Sequence, residues 1–417
     1  MERILIDPSP VTCDFSPELP LSKSIANRQI CIRHLSGSSL SISIPGSQDS
    51  LRMEALLRQL ELDPHATVYD CGDAGTVFRF LTAVLAITEG RRTLTGSARM
   101  QQRPCGPLAE ALQRLGAEVR YLGNPGFPPL EITGKPLKGG TVEIESSVSS
   151  QFISALMMIA PSMPLGLQIK LKGRTVSAPY IAMTAGLMHE QGIEVTGSPD
   201  QITVKPGTYR FNAQITESDW SAASYWFAFA AMKKDAVIAL RGLKETSLQG
   251  DSRLVEIFSH LGVSTFRDGE ALVLSHKGST DTRIEVDFTP FPDLFPAVAV
   301  TCAGLGLSAR FTGLHTLAIK ESNRIEAVGA ELRKLGYPAG MNAEGCFVIE
   351  PGREISSGVV VQTWNDHRIA MAFAMLSLKY GQMILDDPGV VSKSYPGFWR
   401  ELERAGFLLI TKREDPF

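Results

Sequence analysis

Apolar and polar positions along this chain fall into a phrase that recurs. A helix-period segment ends in Leu-Gly or a near variant, and two short strand-like runs follow. The phrase reads ALQRLGAEVRYL at Leu115-Gly116, LMHEQGIEVTG at Gln191-Gly192, IFSHLGVSTF at Leu261-Gly262, ELRKLGYPAG at Leu335-Gly336 and ELERAGFLLI at Ala405-Gly406. A weaker first copy, ALLRQLELDP, lacks the glycine. Gly192, Gly262, Gly336 and Gly406 are spaced 70, 74 and 70 residues apart, and Gly116 precedes Gly192 by 76. That period is too long for the common solenoid units and suits a compact α/β unit of two helices and several strands. The glycine has a structural role, the left-handed conformation that ends a helix.

A second kind of helix recurs beside the first. Thr76 to Ile87, Gln151 to Ala160, Ser221 to Met232, Phe295 to Leu305 and Asp366 to Leu378 are small and apolar on nearly every side, as expected of helices buried all round. Six units suggest two domains of three. The pattern breaks near Thr216 to Asp219, and the first unit starts near Leu21. The expected domains are therefore 21–216 and 1–20 plus 217–417, with the N-terminal residues forming a strand that pairs with the second half. Two chain crossings of this kind predict a hinge and a ligand-binding interface.

Bulk properties remove several classes. The 417 residues are 44% hydrophobic and 20% charged, ordinary globular values. A net charge of -3 argues against a nucleic-acid partner, so any anion-binding cations must be gathered locally. The start, MERILIDPSP, has no long apolar run of the signal-peptide kind. No stretch reaches the roughly 18 apolar residues of a membrane span. The six cysteines are scattered without a C-x-x-C pair, and the seven histidines have no metal-ligand spacing. The expectation is a soluble, reduced, cytoplasmic protein, and the residue spacing gives no metal signal.

The apolar helices begin at polar clusters. Lys23, Ser24 and Arg28 surround one start; Asp73, Gly75 and Thr76 precede another, with Arg79 inside it. Arg103 stands before Pro104, a residue suited to a first helical position. Ser146 to Gln151, Ser177 with Tyr180, Asp293, Trp364 to Arg368, and Lys393 complete the set. Capping is the plain reading of Asp73, Ser177 and Asp293. Capping does not account for cations at Lys23, Arg28, Arg103, Lys320, Arg324 and Arg368, which oppose the positive end of a helix dipole. Within Lys320-Glu321-Ser322-Asn323-Arg324, a helix-like run from Arg324 to Leu335 follows a strand-like lead from Leu314 to Ile319. Lys320 and Arg324 would share a helical face and repel. Either this is a solvated charged turn with a Glu–Arg pair, or it holds an anion with Glu321 placed for proton transfer. His367 is open between ligand contact and structure, Arg79 reads as structural, and Cys105 as a buried side chain rather than a nucleophile. Neither a P-loop nor a dinucleotide fingerprint is present.

Eleven segments, in order, resemble the 5-enolpyruvylshikimate-3-phosphate synthase family: LSKSIANR, DAGTVFRFL, RMQQRPCGPL, SSVSSQFISALM, VSAPYIAMT, ESDWSAASY, SLQGD, PDLFPA, IKESNRI, NDHRIAMAF and SKSYP. The resemblance implies an inside-out α/β barrel of two domains, six βαβαββ repeats, and an active site in the interdomain cleft. It implies transfer of the carboxyvinyl group of phosphoenolpyruvate to the 5-hydroxyl of shikimate 3-phosphate, with release of phosphate. It implies contacts to shikimate 3-phosphate from Lys23, Ser24, Arg28, Ser149, Ser150, Gln151, Ser177, Tyr180, Asp293 and Lys320. Lys23, Gly75, Arg103, Gln151, Arg324, Arg368 and Lys393 would hold phosphoenolpyruvate, and Asp293, Glu321 and Lys23 would move protons. Glyphosate is expected to compete with phosphoenolpyruvate. Departures from the family pattern are Asp73 for the usual Asn, Leu21, Phe80, Gln48 beside Asp49, and Thr316 where some members have Asn. The sister transferase acting on UDP-N-acetylglucosamine would need a cysteine shortly before its Arg-Pro, and Gly96 to Gln102 has none. RNA 3′-phosphate cyclase shares the repeat but needs a nucleotide-accepting His and a basic face. A non-catalytic anion-binding homologue is the remaining alternative.

Overall fold

A computed structural model describes residues 2–413 apart from 43–45, 64, 213–215, 280 and 353–358. The chain divides into two units, Met1–Leu21 with Glu217–Phe417, and Ser22–Thr216. One four-stranded pattern recurs in both. In Ser22–Thr216, Val68–Asp70 runs parallel to Gly90–Thr95; Gly90–Thr95 pairs antiparallel with Leu130–Gly134, and that strand with Glu118–Tyr121. Gly140–Glu145, Leu167–Lys172, Gln201–Val204 and Val195–Ser198 repeat the order. A parallel pair requires a crossover, and a helix supplies it each time. The result is a βαβαββ unit. The first of the six expected units has two helices, Lys23–Ser36 and Gln48–Leu62, but no sheet among the described residues.

The other unit holds three such sheets. Arg283–Asp287, Ser308–Thr312, Phe347–Ile349 and Ala339–Met341 form one from contiguous chain. The other two draw on the N-terminus, which supplies two strands rather than the single one expected. Asp14–Phe15 lies parallel to Val237–Leu240 and opens one sheet. Glu2–Asp7 sits between Met383–Asp386 and Leu408–Arg413 and completes another. Ile4 and Ile6 of that strand join the core, whose centre is the apolar helices Trp220–Met232, Phe295–Gly304 and His367–Ala374. The glycines of the repeated phrase act as expected, since Gly116, Gly192, Gly262, Gly336 and Gly406 all have φ between 82° and 99°.

A further element differs from its expectation. Leu314 to Ile319 is not a strand; His315–Ile319 is a 3₁₀ helix. Leu314 and Leu317 are buried while Ile319 is exposed, a spacing of three that fits three residues per turn better than the alternation of a strand.

Candidate active site

Helix starts position many of the candidate side chains. In Ser22–Thr216, Ser22 caps Lys23–Ser36, its hydroxyl accepting from the Ile25 amide at 3.4 Å. Lys23 is the first helical residue, and its Nζ lies 3.1 Å from Asp49 Oδ2. One turn on, Arg28 is 2% exposed. It donates to Thr184 Oγ1 at 2.7 Å, Ser24 O at 2.8 Å, Ser154 Oγ at 3.2 Å and Tyr180 O at 3.4 Å. Burial lowers its pKa to about 10, still cationic at neutral pH. Most of its five donors therefore serve the protein, and they tie the start of one helix to that of Ala178–Glu190. Ser177 caps the latter in the left-handed region (φ 53°) without a side-chain capping hydrogen bond, so its hydroxyl does not perform the capping role expected of it.

A second group gathers at Gly75–Ile87. A Cβ on Gly75 would fall 2.5 Å from Arg79 Nη1 and 2.7 Å from both Arg103 terminal nitrogens. Only a residue without one lets these guanidiniums close on the helix start. Arg79 donates to Gly75 O at 2.9 Å and Pro104 O at 3.4 Å and stacks over Phe152, the structural role expected. Arg103 Nη1 reaches Asp73 O at 3.4 Å. Asp73 is no cap: Ala74 holds that position, and the Asp73 carboxylate instead accepts a short hydrogen bond from Ser97 Oγ. Gln151 Nε2 donates to Thr76 Oγ1 at 2.9 Å, joining the start of Ser150–Ile159 to that of Gly75–Ile87. Ser149 caps the former, accepting from the Gln151 amide at 3.3 Å, and Ser150 is buried beside it. Cys105 is buried, and burial raises its thiol pKa to about 12, which removes it as a nucleophile.

In the other unit the expected residues form one network around Asp293. This carboxylate is not a helix cap either. Its Oδ1 takes Arg324 Nη1 at 2.8 Å and Lys320 Nζ at 3.3 Å, and its Oδ2 takes Arg368 Nη2 at 3.0 Å. Arg324 opens the helix Arg324–Lys334, capped by Asn323, whereas Lys320 is extended, with ψ -158°. The two cations do not share a helical face; they meet on a common carboxylate. Arg324 is 1% exposed and also donates to Glu321 Oε2 at 3.0 Å and Asp366 Oδ2 at 2.8 Å. Lys393 Nζ lies 3.7 Å from Glu321 Oε1. Interleaved carboxylates thus offset the clash of cations with one another and with the helix dipole.

Asp366 escaped individual notice in the sequence, although it lies inside NDHR. It is buried, caps His367–Ala374 by accepting from the Arg368 amide at 3.0 Å, and takes Ser322 Oγ at 3.0 Å. Its signal was the cap position itself. His367 is buried, with Nδ1 3.7 Å from Asp366 Oδ1. Burial alone would raise the pKa of Asp293, but Arg368, Lys320 and Arg324 outweigh it and hold the carboxyl well below the usual range. Asp366 is lowered likewise, with Arg324 and His367 overcoming burial. Burial alone would lower Arg324, and its three carboxylates reverse that. Arg324 is thus a desolvated cation held ionised by its carboxylates, within a network of cations of the kind that pairs with phosphate or carboxylate.

Comparison with known proteins places the chain in a family. Residues 61–402 match the family model of EPSP synthase (3-phosphoshikimate 1-carboxyvinyltransferase). The 3-phosphoshikimate 1-carboxyvinyltransferase of Bacteroides fragilis (strain YCH46) is 43% identical over 411 residues, 98% of each chain. That of Methanoculleus marisnigri is 38% identical over 342 residues, covering 81% of this chain and 79% of the relative. A solved structure of EPSP synthase from Acinetobacter baumannii shares the fold, with a TM-score of 0.77 at 22% identity over 99% of this chain and 100% of that one. The chain belongs to the EPSP synthase (3-phosphoshikimate 1-carboxyvinyltransferase) family.

Proposed function

We infer that this protein transfers the carboxyvinyl group of phosphoenolpyruvate to the 5-hydroxyl of shikimate 3-phosphate, giving 5-enolpyruvylshikimate 3-phosphate and phosphate in the shikimate pathway. Family membership carries the reaction. The observation that carries the chemistry is the meeting of Lys320, Arg324 and Arg368 on Asp293. Phosphoenolpyruvate brings a phosphate and a carboxylate, and guanidinium groups match both with paired hydrogen bonds. Arg324, Arg368 and Lys393 take that substrate, with Gly75, Arg103, Gln151 and Lys23. Lys320 turns to shikimate 3-phosphate, with Lys23, Ser24, Ser149, Ser150, Gln151, Ser177 and Tyr180. Arg28 serves that group mainly by fixing Ser24 and Tyr180.

As phosphoenolpyruvate draws guanidiniums away from Asp293, the carboxylate loses the partners that depress its basicity. It then accepts the 5-hydroxyl proton as the hydroxyl oxygen bonds to C2 of phosphoenolpyruvate. The C3 methylene gains a proton, from Glu321 or Lys23, to give a tetrahedral adduct. In the second half C3 gives up a proton, the C2–O bond to phosphate breaks, and the vinyl group is restored. The demand for acid and base thus reverses between the halves. Cationic charge at C2 is flanked by fixed charges in a desolvated setting, where they act most strongly. The residues call for no metal or organic cofactor. We place the protein in the cytoplasm as a monomer without a nucleic-acid or membrane partner; among the described residues no helix is long and apolar enough to cross a membrane.

A steady-state phosphate-release assay tests the reading. Release must require shikimate 3-phosphate and phosphoenolpyruvate together. Release with UDP-N-acetylglucosamine in place of the former, or none from folded protein, overturns it.

A further inference from the structure

Glu331 has no part in the chemistry above, yet its side chain is fully buried. A carboxylate so placed must be well supplied with donors. Trp364 Nε1 reaches its Oε1 at 2.8 Å, the Gln362 amide reaches Oε2 at 3.1 Å, and Lys334 Nζ lies 2.8 Å from each oxygen. Two of these donors belong to the loop that leads into Asp366. In that loop Trp364 and Asn365 both have positive φ, 55° and 54°. A non-glycine residue in the left-handed region costs roughly 1–2 kcal/mol. Two in succession persist only where the surroundings over-determine them.

The fixings are identifiable. Upstream, Glu331 holds Gln362 and Trp364, and Asp386 Oδ1 accepts from the Thr363 amide at 2.6 Å. Downstream, the Asp366 amide donates to Thr363 O at 2.9 Å, and the Asp366 carboxylate holds Arg324 Nε and Ser322 Oγ. Arg324 and Glu331 stand on one helix, Arg324–Lys334. Seven residues apart, they lie about two turns and ~10 Å along the same face. The strained turn is therefore stapled to that helix at two points. One is structural, Trp364 on Glu331. The other belongs to the site, Asp366 on Arg324. Asp366 in turn caps the amide of Arg368, whose guanidinium lies on Asp293.

We propose that Glu331 is a positioning residue for phosphoenolpyruvate binding. Through Trp364 it sets the left-handed turn that places Asp366, and through Asp366 the guanidiniums of Arg324 and Arg368. The proposal rests on the reading that those two arginines take phosphoenolpyruvate. Glu331→Gln keeps the shape but puts an amide donor where only acceptors serve. Trp364→Phe keeps the ring and removes the N–H. A misplacement of 1 Å costs up to ~100-fold in such sites, so an indirect shift is expected to raise the KM for phosphoenolpyruvate about tenfold in Glu331→Gln and less in Trp364→Phe. The KM for shikimate 3-phosphate stays within about twofold, and the double variant is no worse than Glu331→Gln alone.

Parallel rise of both KM values, or an unchanged phosphoenolpyruvate KM in folded variants, overturns the proposal. A second measurement reads positioning without turnover: hydrogen exchange of Arg324 Nε–H by NMR. It is slow in the wild type, where Asp366 holds that hydrogen, and faster in both variants. Exchange unchanged in either folded variant refutes the coupling. A wild type that shows slow exchange but no turnover contradicts the reaction instead.

Discussion

Asp251 offers a sharp test of how this site manages charge. It is 3% exposed, in the short 3₁₀ helix Gly250–Arg253. Its Oδ2 accepts from Ser221 Oγ, while Oδ1 is buried without a hydrogen-bond partner among the described residues. Burial first, then the negative charge of Asp293, raises its pKa from 3.8 to about 7; Arg368 and Ser221 oppose and Asp219 adds to the rise. Ionisation in the fold is therefore disfavoured by about three pKa units, or ~4 kcal/mol at ~1.4 kcal/mol per unit, as an upper bound. The sign follows from proton binding. Below the unfolded pKa both states are protonated, and the neutral acid costs nothing. Between about pH 4 and pH 7 the unfolded chain gives up the proton while the folded one keeps it, so stability falls as pH rises. Above about pH 7 the full penalty is present. Asp251→Asn mimics the neutral acid at every pH. It should match the wild type near pH 4 and gain with rising pH to a plateau above 7. If half the ceiling survives relaxation, the gain is ~2 kcal/mol, or roughly 4–8 °C in Tm for a unit of this size. Thermal unfolding followed by circular dichroism from pH 4.5 to 9 reads it. A Tm difference that does not change with pH refutes the reasoning. Asp293→Asn should narrow the pH dependence, since it removes a charge that raises Asp251.

Two further outcomes follow from the same geometry. Gly75→Ala puts a Cβ within 2.7 Å of both Arg103 terminal nitrogens; displaced cations should raise the KM for phosphoenolpyruvate about tenfold, with the KM for shikimate 3-phosphate unchanged, and steady-state kinetics with each substrate varied in turn would expose an equal effect on both. Glu321→Gln should lower kcat by ~100-fold, the usual share of a general acid–base group, while phosphoenolpyruvate affinity changes far less; equal losses in kcat and in affinity, by single-turnover kinetics and calorimetry, would assign Glu321 to binding alone.

The repeat unit was legible in the sequence because its signals are local. A glycine with φ near 85° terminates a helix in any context, and apolar helices announce burial by composition. The meeting of Lys320, Arg324 and Arg368 on Asp293 was not legible from spacing, because it depends on where separate helix starts are brought by the fold. Spacing even misled: Lys320 and Arg324 looked like repelling neighbours on one helix, while the chain at Lys320 is extended and the pair share a carboxylate. The capping readings of Asp73 and Asp293 failed for a related reason. A carboxylate near a helix start is pulled to the strongest donor within reach, and a guanidinium or a hydroxyl from a distant segment can outcompete the local amides. Asp366 caps and binds Arg324 together because its two oxygens serve separate donors. Glu331 lay further from view, since a Glu in a helix ending ELRKLG reads as solvated surface until the Trp364 loop is known to cover it. Local rules therefore locate helix ends well. They suggest a binding role only where several ends carry side chains that no local rule requires, which is why the cations at Lys23, Arg28, Arg103, Lys320, Arg324 and Arg368 raised the expectation of bound anions.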